Sequence, residues 1–333
     1  MSFRGVLKSG REVLLQYPRD SRWWTPLSMA TITMVGTASK LFVKGWHRAS
    51  IKNAYILKEA LEQSKREGRG LVTVMNHVSV LDDPLVWGTM PFKMFYTKGY
   101  MRWTLGAEDI CFKNKLTSMF FSLGQTLSTK RFGAGPFQPA LDAAVTLLSR
   151  SSDSGYHLTS HDGIPPQVDC PQWVHIYPEG FVHQPFAPHE MTMKYFKWGI
   201  SRLILEPARP PIVLPIFGHG LQSVFPEDLP KRVLGHGFKR PLLYEVGEPI
   251  DETKIAEFRG KWAELAQPYA KEHHVPAQLQ TGRDACQLRS EVAAFVRQNV
   301  AAVRNLYTKT IEAPEFSQAL FWKTQNQVKI KGK

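Results

Sequence analysis

His77 and Asp82 are the residues whose types and spacing best fit acid–base work. An imidazole titrates near neutral pH and takes a proton from a hydroxyl. It does so well when a carboxylate holds its second ring nitrogen and fixes tautomer and orientation. The pair lies in Asn76-His77-Val78-Ser79-Val80-Leu81-Asp82-Asp83-Pro84, directly after the apolar, β-prone run Leu71–Met75. A strand that turns into a helix between His77 and Asp82 brings the two together on the rim of a sheet. On spacing alone, Asp-Asp-Pro reads equally as a plain helix start.

The elements that must position this pair alternate between strand and helix patterns. Residues 51–66 carry helical periodicity, and Leu71–Met75 reads as the first strand. Further strands are expected over 92–97, 123–129, 173–177, 212–217 and 242–246. Helices are expected over 112–121, 137–148, 191–205, 254–271 and 283–308. Pro215 inside an apolar strand argues for an edge, a bulge or a strand end. The alternation predicts an α/β domain with a largely parallel central sheet flanked by helices. Ligands then gather at the carboxyl ends of the strands. His77, Arg131 and Glu179 each follow such an end, which is the argument for one shared site.

Composition narrows the partners. The 333 residues are 43% hydrophobic and 21% charged, as in a globular protein, with a formal net charge of +13. That excess favours an acidic partner, nucleic acid or an anionic membrane surface. The basic residues are scattered, with no aromatic–basic module, so nucleic acid is the weaker reading. The three cysteines form no Cys-x-x-Cys, and no metal-ligand pattern stands out, even at His157, His161 and Asp162. No Gly-x-Ser-x-Gly elbow, P-loop, His-Glu-x-x-His or Rossmann glycine triplet is present. No stretch reaches the roughly 18 clean apolar residues of a spanning helix. No signal-peptide core opens the sequence, and acids interrupt its basic start.

Two segments suit a bilayer interface instead. The first choice is 196–217, with Phe196, Trp198, Ile200 and Leu203 as contact candidates; a core helix and strand is the competing reading. The second is 24–43, at whose start Trp23 and Trp24 sit beside arginines; packing on the domain competes equally there. The division expected is an interfacial segment 1–48, a domain 49–308 with a surface insertion at 150–171, and a basic, loosely held tail 309–333.

Four blocks then carry a family resemblance. Asn76-His77-x-Ser79-x-x-Asp82 resembles the first block of the glycerolipid acyltransferases, the H-x4-D enzymes. Residues 124–131 resemble the second block, Tyr177-Pro178-Glu179-Gly180 the third and Val213-Leu214-Pro215-Ile216 the fourth. Three departures stand out: Asp83 doubles the acid, Phe181-Val182 replaces a Thr/Ser-Arg pair, and the second block is one residue longer. With Phe121-Ser122-Leu123-Gly124, Trp173-Val174-His175 and Phe196-Lys197-Trp198-Gly199-Ile200, these are similar to one branch of the family. Residues 1–4 and 64–67 are similar to that branch's fungal members.

The resemblance implies an enzyme that moves acyl chains between phospholipids and lysophospholipids without coenzyme A. It implies no cofactor, and mitochondrial cardiolipin, monolysocardiolipin and phosphatidylcholine as lipids. It also implies a membrane-associated place facing the intermembrane space. His77 and Asp82 are then catalytic. Arg131, with Lys130, meets the headgroup phosphate. Glu179 accepts from a glycerol hydroxyl or holds Arg131, and Gly180 permits close backbone approach. Asn76 and Ser79 support the turn or touch substrate, and Asp83 caps the helix or sets specificity. The competing functions are a coenzyme-A-dependent lysophospholipid acyltransferase and a basic membrane scaffold with a spent site.

Overall fold

A computed structural model gives the fold, describing residues 22–97, 99–131, 135–149, 170–184, 191–226, 238–269, 275–307 and 312–323. The insertion expected at 150–171 lies almost wholly outside the described residues, as do 1–21 and 324–333.

Seven strands form one sheet: β1 (Arg48–Lys52), β2 (Leu71–Met75), β3 (Trp103–Ala107), β4 (Thr126–Thr129), β5 (Trp173–Ile176), β6 (Ile212–His219) and β7 (Pro241–Val246). Their order is β1-β7-β6-β2-β5-β3-β4. The β6–β7 pair is antiparallel and every other pair is parallel. Strand β2 lies at the centre, so its residues are buried on both faces. The pleat still sorts them. Val72 and Val74 join one core, with Val213 and Phe217 of β6. Leu71 and Met75 join the other, with Leu214 and Ile216.

Helices cover both faces: α1 (Trp24–Lys40), α2 (Ala54–Glu67), α3 (Asp82–Trp87), α4 (Lys93–Tyr96), α5 (Glu108–Cys111), α6 (Lys115–Leu123), α7 (Pro139–Leu147), α8 (Gly199–Leu205), α9 (Leu221–Val224), α10 (Glu252–Ala266), α11 (Ala277–Thr281) and α12 (Arg283–Tyr307). Local signals set several ends. Gly68, with φ 62°, closes α2, and an Asn114–Thr117 capping box opens α6.

Several expectations are corrected. Residues 92–97 hold the short helix α4 (Lys93–Tyr96), not a strand: Phe92 at its N-cap meets Phe95 with ring centroids 5.7 Å apart. The strand there is β3, and β1 is an added edge. Pro215 lies inside β6, an internal strand. Its carbonyl accepts from Gly247 N (2.9 Å), just past the last β7 pair at Ile216–Val246. Its missing N–H therefore faces a gap in the ladder. Of 191–205 only Gly199–Leu205 is helical. Before it, side chains of Glu312, Glu179 and Arg297 take the main-chain groups of Met193 and Lys194 that a helix would use. Phe196, Ile200 and Leu203 are 4%, 0% and 0% exposed, core residues rather than bilayer contacts. Trp198 is half-buried and donates to Ser290 Oγ (3.0 Å). Residues 312–323 of the expected loose tail pack on the domain through Glu312, Phe316 and Trp322.

Helix α1 is docked. Ser28, Ile32, Gly36 and Ser39 form its buried face. Ser28 Oγ donates to Leu123 O (2.6 Å) and Thr33 Oγ1 to Phe95 O (3.2 Å). A Cβ on Gly36 would stand 2.9 Å from the Phe95 ring. Gly36→Leu is therefore expected to cost about 1–3 kcal/mol by overpacking. Urea unfolding checks this, and unchanged stability would contradict the docking.

Candidate active site

The site is built where β2 leaves the centre of the sheet. Asn76 fixes the exit: its side chain donates to Gly218 O (2.9 Å) and accepts from Gly218 N (2.8 Å). Both main-chain groups of His77 are then clamped. Its N–H donates to Glu179 Oε1 (2.8 Å), and its carbonyl accepts from His183 N (2.7 Å). The chain turns, and Asp82 closes the turn from the first position of α3. One oxygen, Asp82 Oδ2, accepts from His77 Nδ1 (2.9 Å), Val78 N (2.6 Å) and Ser79 N (2.9 Å). A carboxylate facing Nδ1 keeps the proton there and leaves Nε2 with its lone pair. The ring stacks on Tyr177 with centroids 4.4 Å apart. Its side chain is 19% exposed, at the wall of a cavity of about 810 Å³.

That cavity joins apolar walls to cations. Val80, Leu105, Ile110, Phe121, Leu141 and Ile176 line it, and so do Lys130, Arg131, Lys197 and Arg297. Arg131 Nε donates to Asp109 Oδ1 at 3.1 Å. That guanidinium holds the Asp109 carboxyl below the usual range. Lys197 lies against Gly180: a Cβ there would stand 2.5 Å from its Nζ, and φ at Gly180 is 75°. Burial, then the charges of Lys194 and Arg131, lowers the Lys197 ammonium. Asp83 reaches the cavity but is matched by Arg102, which donates through Nε (3.2 Å) and Nη2; Trp87 Nε1 donates to it too (3.1 Å). Burial pushes the Asp83 carboxyl up, and the Arg102 charge and hydrogen bonds more than reverse that.

A model of the acyltransferase family matches residues 56–217. Tafazzin of Saccharomyces cerevisiae is 42% identical over 98% of this chain and 90% of its own length. This chain is a tafazzin-family acyltransferase. It is thus an enzyme, and the branch that the three departures resemble is the tafazzins. Tafazzin of Drosophila melanogaster is 29% identical over 71% of this chain and 55% of its own. An N-acylphosphatidylethanolamine synthase of Arabidopsis thaliana is 33% identical over 66% and 69%.

In this tafazzin-family chain the expected residues divide in two. His77, Asp83, Lys130, Arg131, Gly180, Phe196 and Trp198 come together at the cavity. Asn76, Ser79 and Glu179 do not. Ser79 Oγ accepts from Leu81 N (3.3 Å), a turn contact. Glu179 is 2% exposed, with Oε1 on His77 N and Oε2 on Lys194 N (3.0 Å), so it holds main chain rather than Arg131 or a glycerol hydroxyl. Sequence reasoning missed Arg102, Tyr177 and Arg297 at the site and read Lys197 only as a helix base. Arg297 donates to Lys194 O (2.8 Å) from α12, far along the chain. Tyr177 had a local signal, an aromatic ring at the end of β5. His157, His161 and Asp162 lie outside the described residues. Among those described, no cluster of three His, Cys, Asp or Glu suits a metal.

Burial makes Glu179 pH-sensitive, raising its carboxyl to about 7 against the two main-chain donors. Between the usual glutamate value and about 7 the folded state keeps a proton that the unfolded chain has released. That stabilisation, on the order of 3 kcal/mol, is present at low pH and lost as pH rises through about 7. Buried His175, held near 3 by desolvation, works oppositely and weakens the fold as pH falls below its usual value. Glu179→Gln removes the first dependence and leaves the second. In urea unfolding between about pH 6 and 8, wild type is expected to lose stability with rising pH while the variant gains slightly, because only the His175 dependence remains.

Proposed function

We propose that this tafazzin-family enzyme moves acyl chains directly between phospholipids and lysophospholipids, without coenzyme A, and remodels mitochondrial cardiolipin. One observation carries the reading: His77, aligned by Asp82, opens onto an apolar cavity rimmed with cations. Nε2 of His77 takes the proton of the acceptor's free hydroxyl. The acceptor oxygen forms a bond to the donor's ester carbonyl carbon. The tetrahedral oxyanion collapses, the bond to the donor glycerol oxygen breaks, and that oxygen takes the proton back from Nε2. An ester is exchanged for an ester, so no activated thioester is required. In this reading Arg131, Lys130 and Lys197 take the headgroup phosphate. Cys111 also lines the cavity, but burial, then Asp83, pushes its thiol up to about 11. It stays protonated, which favours direct transfer over a thioester on the enzyme.

A bilayer surface supplies the lipids in this reading. No helix among the described residues is long and apolar enough to cross a membrane. Trp23 and Leu27 are exposed near the end of α1 that Ser28 ties to Leu123 of α6, and Leu116, Met119 and Phe120 of α6 are exposed as well. Exposed Lys93, Lys113 and Lys115 border this face and suit anionic lipid. Phe120 faces outward while its neighbour Phe121 lines the cavity. Acyl chains leaving the bilayer along α6 thus enter beside His77. The place proposed is a mitochondrial membrane facing the intermembrane space.

Purified enzyme in mixed vesicles with a labelled phosphatidylcholine donor and a monolysocardiolipin acceptor tests the chemistry. Transfer is expected without acyl-CoA and is expected to vanish in His77→Ala with the fold intact. A strict need for acyl-CoA favours the thioester-dependent enzyme, and near-normal transfer by His77→Ala removes the core of the mechanism. For the surface, Leu116→Asp with Phe120→Asp is expected to weaken co-sedimentation with anionic vesicles roughly tenfold, by loss of apolar insertion. Unchanged binding would place the membrane face elsewhere.

A further inference from the structure

The family match ends at residue 217, but the walls of the site do not. Ser290, Ala293 and Arg297 of α12 line the cavity, and so do Ser317, Ala319 and Lys323. We infer that residues 312–323 are a working part of the active site: Trp322 and Glu312 are positioning residues that hold the His77 peptide in register. The inference rests on the reading of His77 as the base.

Two anchors converge on that peptide. Glu312 sits between two buried guanidiniums, Arg297 (Nη2–Oε1 2.6 Å) and Arg304 (Nη1–Oε2 3.1 Å), and accepts from Met193 N (2.9 Å). Arg297 in turn holds Lys194 O (2.8 Å) and Met193 O (2.5 Å). Lys194 N–H holds Glu179, and Glu179 holds the His77 N–H. The second anchor is Trp322. Its ring meets His183 edge-on at 4.8 Å, with Lys194 Nζ 5.3 Å from its centroid. Trp322 Nε1 donates to Phe316 O (2.7 Å), so the segment closes on itself and presents the indole rigidly. His183 N–H is the group on the His77 carbonyl. Trp322 thus touches His183, whose N–H holds the His77 carbonyl, and Lys194, whose main-chain N–H reaches the His77 N–H through Glu179. An imidazole a fraction of an ångström out of line loses most of its use as a base, because transfer needs near-attack geometry.

Glu312→Gln strands two buried guanidiniums and endangers the fold, so Trp322 carries the test. Trp322→Ala, Trp322→Phe and His77→Ala are made in the full-length protein. Transfer from phosphatidylcholine to monolysocardiolipin is measured in mixed vesicles, with thermal unfolding beside it. Trp322→Ala is expected to lower kcat about tenfold or more, with KM for the acceptor within about twofold. Trp322→Phe, which keeps a ring against His183, is expected to recover most of the loss. Trp322→Leu carries the expectation of the alanine variant if that variant unfolds. A wild-type kcat in the folded alanine or leucine variant overturns the inference, and so does a loss confined to KM or not recovered by phenylalanine. If His77→Ala is dead while Trp322→Ala transfers normally, this inference alone falls. If His77→Ala transfers normally, the base and its positioning residues fall together.

Discussion

One carboxylate oxygen, Asp82 Oδ2, takes three N–H groups: the His77 imidazole and the main chain of Val78 and Ser79. The first contact orients the ring and the other two fold the turn that carries it, so neither exists without the other. Asp82 has no exposure, and a buried charge is tolerated only where hydrogen bonds compensate it. The turn supplies that compensation at Oδ2. The geometry also demands a strand ending at a fixed place, which Asn76 provides by tying the β2 exit to Gly218 of β6.

Around this turn the fold works as a set of clamps on main chain. Glu179 follows β5, and its two oxygens join the His77 peptide to the irregular stretch before α8. That stretch is held from behind by α12 through Arg297. Acids and bases that look available for lipid in the chain are therefore largely consumed inside. Arg202 is buried with Asp142 (2.8 Å) and Glu206 (2.5 Å), and Asp83 is matched by Arg102. Lys130, Arg131 and Lys197 line the cavity, Arg131 while bonded to Asp109.

The dyad was legible because it is local: strand, histidine, turn and acid lie within twelve residues, 71–82. The α/β alternation was legible for the same reason, as was Arg131 at the end of β4. Glu179 was legible as a site residue but not as a clamp, because its partners stand 102 and 15 positions away. The stretch 196–205 misled because aromatic and basic residues together look interfacial. In the fold Phe196, Ile200 and Leu203 fill the core, and the Arg202 charge is neutralised there. Helix α1 shows the converse. Its small residues, Ser28, Gly36 and Ser39, mark the docked stripe, while exposed Leu27 and Met34 face outward. The role of 312–323 had no local signal, since Glu312 and Trp322 gain meaning only from Arg297, Arg304 and His183.

The Asp82 contact sets the tautomer of the His77 ring. Nitrogen NMR of the histidine-labelled protein reads it directly, with the His77 signals assigned by their loss in His77→Gln. The tautomer expected carries its proton on Nδ1 and its lone pair on Nε2, and Asp82→Asn is expected to lose that preference. A ring protonated on Nε2, or an Nδ1 proton that survives Asp82→Asn unchanged, would contradict it.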